Sequence, residues 1–242
     1  MAGKIFAALA TAGLAVVLFP LAFDVEPFRE LSPVATDYAE RTDEEVGAAN
    51  LVTAVIVTYR GLDTLGEVTV LFIATAGVGF LLGRGRSKDL GADRRATEDT
   101  DEIEGPSEIL DTGGRLLIPV IVTFGIFIFL HGHLTPGGGF QGGVILASAL
   151  LLFFLSREPA EANHTLLTVV ESLSGGFYVI IGVLGLILGE GFLDNRILPL
   201  GEFGSLLSAG AIPLIYSLVG LKVGAELSGI LDALRGRTGG HS

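Results

Sequence analysis

Apolar and polar positions along this chain come in long blocks, not at the period of an amphipathic helix or of a half-buried strand. Uninterrupted apolar runs of bilayer-crossing length, about 17 to 25 residues, fall near residues 5–23, 64–83, 116–131, 140–156, 165–189 and 204–224. This pattern predicts an all-α, polytopic integral membrane protein with about six transmembrane helices. A shorter apolar run, NLVTAVIVTYR at 50–60, is too short to span and predicts a re-entrant or interfacial helix feeding the second span. Its β-branched residues would suit a strand in water, but an unpaired strand has no place in lipid. The first run follows Lys4 as a signal peptide would, yet it exceeds a usual signal core and no clean A-x-A site follows, so it reads as a span.

The polar blocks divide the chain. Residues 24–45 separate the first span from the short helix, and GRGRSKDLGADRRATEDTDEIEGPSEILDTGG, residues 83–114, is too charged to bury surface that would offset chain entropy. Three parts result: 1–83 with two spans and the short helix, a charged linker at 84–114, and 115–242 with four spans. With the N-terminus inside, the inner segments hold Lys4, Arg84, Arg86, Lys88, Arg94, Arg95, Arg115, Arg157, Arg235 and Arg237. The outer ones hold Arg29, Arg41, Arg60 and Arg196. This bias predicts both termini in the cytoplasm and a multi-pass protein of the cytoplasmic membrane.

Composition narrows the chemistry. The chain is 50% hydrophobic with a mean hydropathy of +0.64. It has no cysteine, which removes disulfides, thiolate metal sites, iron–sulfur ligands and thiol nucleophiles together. A net charge of −12 argues against nucleic acid as a partner.

The stretch HGHLTPGGGFQGG, residues 131–143, offers a G-x-G-x-x-G spacing and two histidines. A dinucleotide fingerprint needs a strand before the glycines, whereas RLLIPVIVTFGIFIFL reads as a membrane helix. His131 and His133 are two apart, facing apart on a helix, with no third ligand or carboxylate nearby in sequence. Neither a cofactor nor a metal is therefore expected. The remaining role is a hairpin corner: Pro136 ends one span, Gly137, Gly138 and Gly139 turn the chain, and Phe140, Gln141, Gly142 and Gly143 begin a helix able to approach a neighbour closely.

The run RLLIPVIVTFGIFIFLHGHLTPGGGFQGGVILASALLLFF closely resembles the B subunit (MnhB/MrpB) of Mrp-type multisubunit cation/proton antiporters, over about residues 110–235. Upstream, NLVTAVIVTYRGLDTLGEVTVLFIATAGV, residues 50–78, resembles the hydrogenase E-subunit-like region near the C-terminal end of the large antiporter A subunit. Its R-G-x-D-T-x-G-E corner is present as Arg60, Gly61, Asp63, Thr64, Gly66 and Glu67. The resemblance implies two modules of one assembly fused in one chain, acting in Na+/H+ exchange with other membrane subunits as partners and Na+ and H+ as cargo in the lipid bilayer. It leaves open a redox-driven relative, such as a membrane-bound hydrogenase, and a scaffold without its own ion path.

Ionisable residues within apolar runs are the candidates for an ion or proton pathway, because charge in the bilayer is costly. Glu67 lies one turn into the second span beside Asp63; the alternative is an outer cap in which Asp63 and Thr64 close the helix N-terminus and Arg60 pairs the acids. Lys222 and Glu226 lie four apart near the inner end of the last span, where snorkelling is the alternative for Lys222. His164 and Glu171 make a possible inner relay. Pro213 predicts a kink that frees the carbonyl of Ala209. Gly182, Gly185 and Gly189 predict a packing seam against another helix. No nucleophile with a base is present in a recognisable pattern, so the chain reads as a transporter subunit, not an enzyme.

Overall fold

The computed structural model describes residues 2–23, 31–89, 108–157 and 163–238. No strand occurs among them, and the chain is an all-α, multi-pass membrane protein. It divides into two compact units, Met1–Asp37 and Tyr38–Ser242.

The first unit contains α1 (Ala2–Phe23), with an apolar stretch at Lys4–Phe19, and the start of α2 (Pro33–Glu45). Helix α1 covers the whole apolar run at 5–23. The polar residues before the short helix are thus partly helical, and Arg29 lies outside the described residues.

Among the described residues of the second unit, five helices are long and apolar enough to cross a membrane: Gly61–Leu81 of α4 (Gly61–Asp89), α5 (Glu108–Leu130), α6 (Gly139–Ser156), α7 (His164–Leu188) and Ile212–Leu234 of α8 (Ile212–Thr238). Helix α8 packs against α4, α5, α6 and α7. It is the central element, with 56% of its apolar window buried against 11% for α4. Lipid removes most of the hydrophobic drive between helices, so close contact depends on small residues and van der Waals fit.

The short run at 50–60 forms one turn of helix, α3 (Leu51–Thr53), that widens into a π-helix over Ala54–Tyr59. A π-turn leaves backbone groups out of the i to i−4 ladder. Here the Thr64 hydroxyl donates to the Ile56 carbonyl at 2.8 Å. Thr64 therefore serves the π-helix, not the N-terminus of α4.

Several expected boundaries move. The last span begins at Ile212, not 204, because residues 204–211 are turns in which Gly204, Ala209 and Gly210 take positive φ. Pro213 consequently sits in the first turn of α8, where no donor is missed, and Ile212 N–H donates to the Ala209 carbonyl at 3.1 Å. The cause of the expected kink is removed for that reason. Helix α5 ends at Leu130, well before Pro136, which lies exposed in the turn. Of the stretch 84–114, residues 84–89 are helical in α4 and 108–114 in α5, while 90–107 lie outside the described residues.

Candidate functional site

The corner between α5 and α6 is built from glycine. Gly138 has φ +151°, a conformation side chains rarely adopt. On the first turns of α6, a Cβ on Gly139 would meet Val219 Cβ at 2.6 Å and one on Gly143 would meet Val223 Cβ at 2.7 Å, both on α8. The motif thus lets α6 lie directly on α8. Gly182, Gly185 and Gly189 also permit close approach, but they face Phe192, Leu193 and Asp194 of the chain folding back after α7. The expected helix–helix seam is a helix–loop contact.

The same corner binds the short helix. Asn50 Oδ1 caps α3 by accepting from Val52 N–H at 3.1 Å, while its Nδ2 donates to the carbonyls of Gly132 and Thr135, each at 2.9 Å. Thr53 Oγ1 donates to the Gly132 carbonyl at 2.6 Å and accepts from the Tyr216 hydroxyl of α8 at 3.0 Å. Asn50 N–H donates to the His133 carbonyl at 3.0 Å. His133 is fully buried with Nε2 at 3.2 Å from the Ser205 carbonyl oxygen, and burial holds its imidazole below the usual 6.5. His131 instead stacks on Phe127, with ring centroids 4.0 Å apart. Asn195, also fully buried, donates to the carbonyls of Val46 and Ala209 at 2.8 and 3.0 Å. Sequence reasoning missed Asn50, Thr53, Asn195 and Tyr216. Only Asn50 carried a signal, as a cap residue directly before an apolar run.

The charged candidates separate into three places. Arg60 pairs with Asp63 on the surface, and Glu67 is exposed on α4, so the expected pairing of Arg60 with both acids is not formed. His164 pairs with Asp232 of α8 at 2.8 Å, not with Glu171.

Lys222 and Glu226 form a buried ion pair on α8, at 8% and 1% exposure. Lys222 lies ten residues after Ile212 and twelve before Leu234, hence at the middle of the span and not near its inner end, and snorkelling does not describe it. Its ammonium sits 5.2 Å from the centroid of the Phe72 ring on α4. Glu226 Oε2 is buried without a hydrogen-bond partner among the described residues. Glu171 is half-buried on α7. No group of three or more His, Cys, Asp or Glu side chains able to hold a metal occurs among the described residues.

A family model described as a domain related to the MnhB subunit of Na+/H+ antiporter matches residues 109–229, and one for the E subunit of MBH matches residues 3–94. An uncharacterized protein of Methanocaldococcus jannaschii is 35% identical over 74% of this chain and 74% of its own. A probable A/B subunit of a K(+)/H(+) antiporter from Rhizobium meliloti is 31% identical over 77% of this chain, which spans 20% of that longer protein. Among solved structures, a chain of the membrane-bound sulfane sulfur reductase, an archaeal respiratory membrane complex, superposes with a TM-score of 0.76 at 44% identity. That match covers 97% of this chain and 98% of the other. A chain of the Mrp complex from Dietzia sp. DQ12-45-1b superposes with a TM-score of 0.70 at 23% identity, covering 97% of this chain and 26% of that one, and shows the shared fold. With half its length matched, in the part that holds the glycine corner and the buried ion pair, this chain belongs to the family of domains related to the MnhB subunit of Na+/H+ antiporters.

Proposed function

We propose that this chain is one of the membrane subunits of a multisubunit cation/proton antiporter complex and contributes directly to Na+/H+ exchange. The observation that carries the reading is the Lys222–Glu226 pair: an ion pair held at mid-span, with one carboxylate oxygen unsatisfied, is expensive to keep in a membrane unless it is used. Glu171 extends the polar set on α7, Glu67 and Asp63 supply acids at the start of α4, and His164 with Asp232 supplies a titratable pair at one end of α7. In this reading residues 1–83 and 115–242 are two modules of the complex, fused through 84–114. The extents of the two family models support that division. The Lys and Arg bias supports a cytoplasmic-membrane location with both termini inside.

The test is proton flux in vesicles containing the whole complex, driven by sodium or pH gradients, comparing wild type with Glu67→Gln. Loss of flux with normal assembly makes α4 part of the ion path; unchanged flux reduces its acids to a structural role. A second reading is that the complex is a redox-driven respiratory pump. It is favoured by the end-to-end match, at 44% identity, to a chain of the sulfane sulfur reductase complex. Co-purification of iron–sulfur subunits with this chain distinguishes that reading from an antiporter.

A further inference from the structure

Helices α4, α7 and α8 leave between them an open crevice of about 210 Å³. Leu65, Val68 and Phe72 of α4 and Tyr178 and Val179 of α7 line it, and Lys222 of α8 provides the one cationic side chain among the described residues of its wall. A lysine ammonium carries three N–H donors. Glu226 Oε1 takes one, and no other acceptor among the described residues takes the remaining two, although Lys222 is 8% exposed. Buried donors without acceptors are costly, and more so at low dielectric.

The depth of the crevice restricts what can satisfy them. Lys222 stands about 15 Å from either end of its span, beyond the reach of lipid phosphates, which lie outside the hydrocarbon core. An acyl chain would fill the apolar walls but leave the ammonium donors unpaired. Water can enter an open crevice of this volume, but an acceptor fixed in place has to arrive sideways, within the membrane, on another helix.

We propose that the crevice between α4 and α7 receives an acidic side chain from a transmembrane helix of a neighbouring subunit, which accepts from the Lys222 ammonium. The inference rests on the reading of the chain as one subunit of a membrane complex, and its test does not use ion flux. Because the incoming carboxyl joins a pair that is already neutral, it enters either protonated or sharing its charge with Glu226 across the ammonium.

The chain has no cysteine, so Val179→Cys on the crevice wall provides an attachment point for benzophenone maleimide that is unique within this chain, and labelling of the purified wild-type complex serves as the background. Illumination followed by peptide mass spectrometry identifies what lies in the crevice. The expected adduct is on a different polypeptide, in an apolar helical segment containing Asp or Glu. Its yield falls at least fivefold in Lys222→Met/Glu226→Met, which replaces the pair with apolar groups of similar size and avoids a lone buried charge. Adducts confined to lipid, to residues 2–23 of this chain or to a second copy overturn the proposal. So does a partner segment without an acid, or a yield unchanged in the double variant.

Discussion

The two ends of the Asn50 amide work in opposite directions, the oxygen capping α3 and the nitrogen holding two carbonyls of the glycine corner. Asn50→Ala removes a cap and the donor to the Thr135 carbonyl, while the Gly132 carbonyl keeps Thr53 Oγ1, a loss of about 1–3 kcal/mol. It is expected to lower the thermal midpoint of the purified complex, whereas Thr11→Ala on α1 leaves it unchanged. His133 adds a dependence on pH. Burial lowers its pKa, so folding favours the neutral ring; that contribution is complete above about 6.5 and is lost as pH falls below it. His133→Gln should flatten the dependence of the melting temperature between pH 7 and pH 5. Asp194, held at about 2 by the Arg196 guanidinium beside it, acts further down: its contribution is present above 3.8 and lost as pH falls toward 2.

At the scale of elements, the stretch around Gly139 and Gly143 sets how closely α6 approaches α8. Gly143→Leu drives a side chain into Val223 and the carbonyl of Gly220. It should cost about 1–3 kcal/mol or force the helices apart, read as loss of the assembled complex on native gels. Gly176→Ala, where nothing lies within 4 Å, should assemble normally. The glycine corner was legible in the sequence because a run of glycines between two apolar blocks has few other uses. Its second partner was not, since the contact between Asn50 and Gly132 joins residues far apart in the chain. The π-helix was also hidden: its six residues read as apolar and β-branched, and the wider turn depends on Thr64, in the next helix, reaching back to Ile56.

At the scale of the molecule, block patterning revealed the spans, because crossing lipid demands long apolar helices whatever their neighbours. It misplaced the last one, since the apolar turns at 204–211 look like helix until Gly204, Ala209 and Gly210 take positive φ. That shift of register decided the reading of Lys222, which moves from the end of a span to its middle. The most direct test of its role is proton flux in vesicles containing the assembled complex, wild type against Lys222→Met/Glu226→Met. A fall of at least tenfold with normal subunit content is the predicted result. Flux equal to wild type would contradict a direct part for this chain in moving ions.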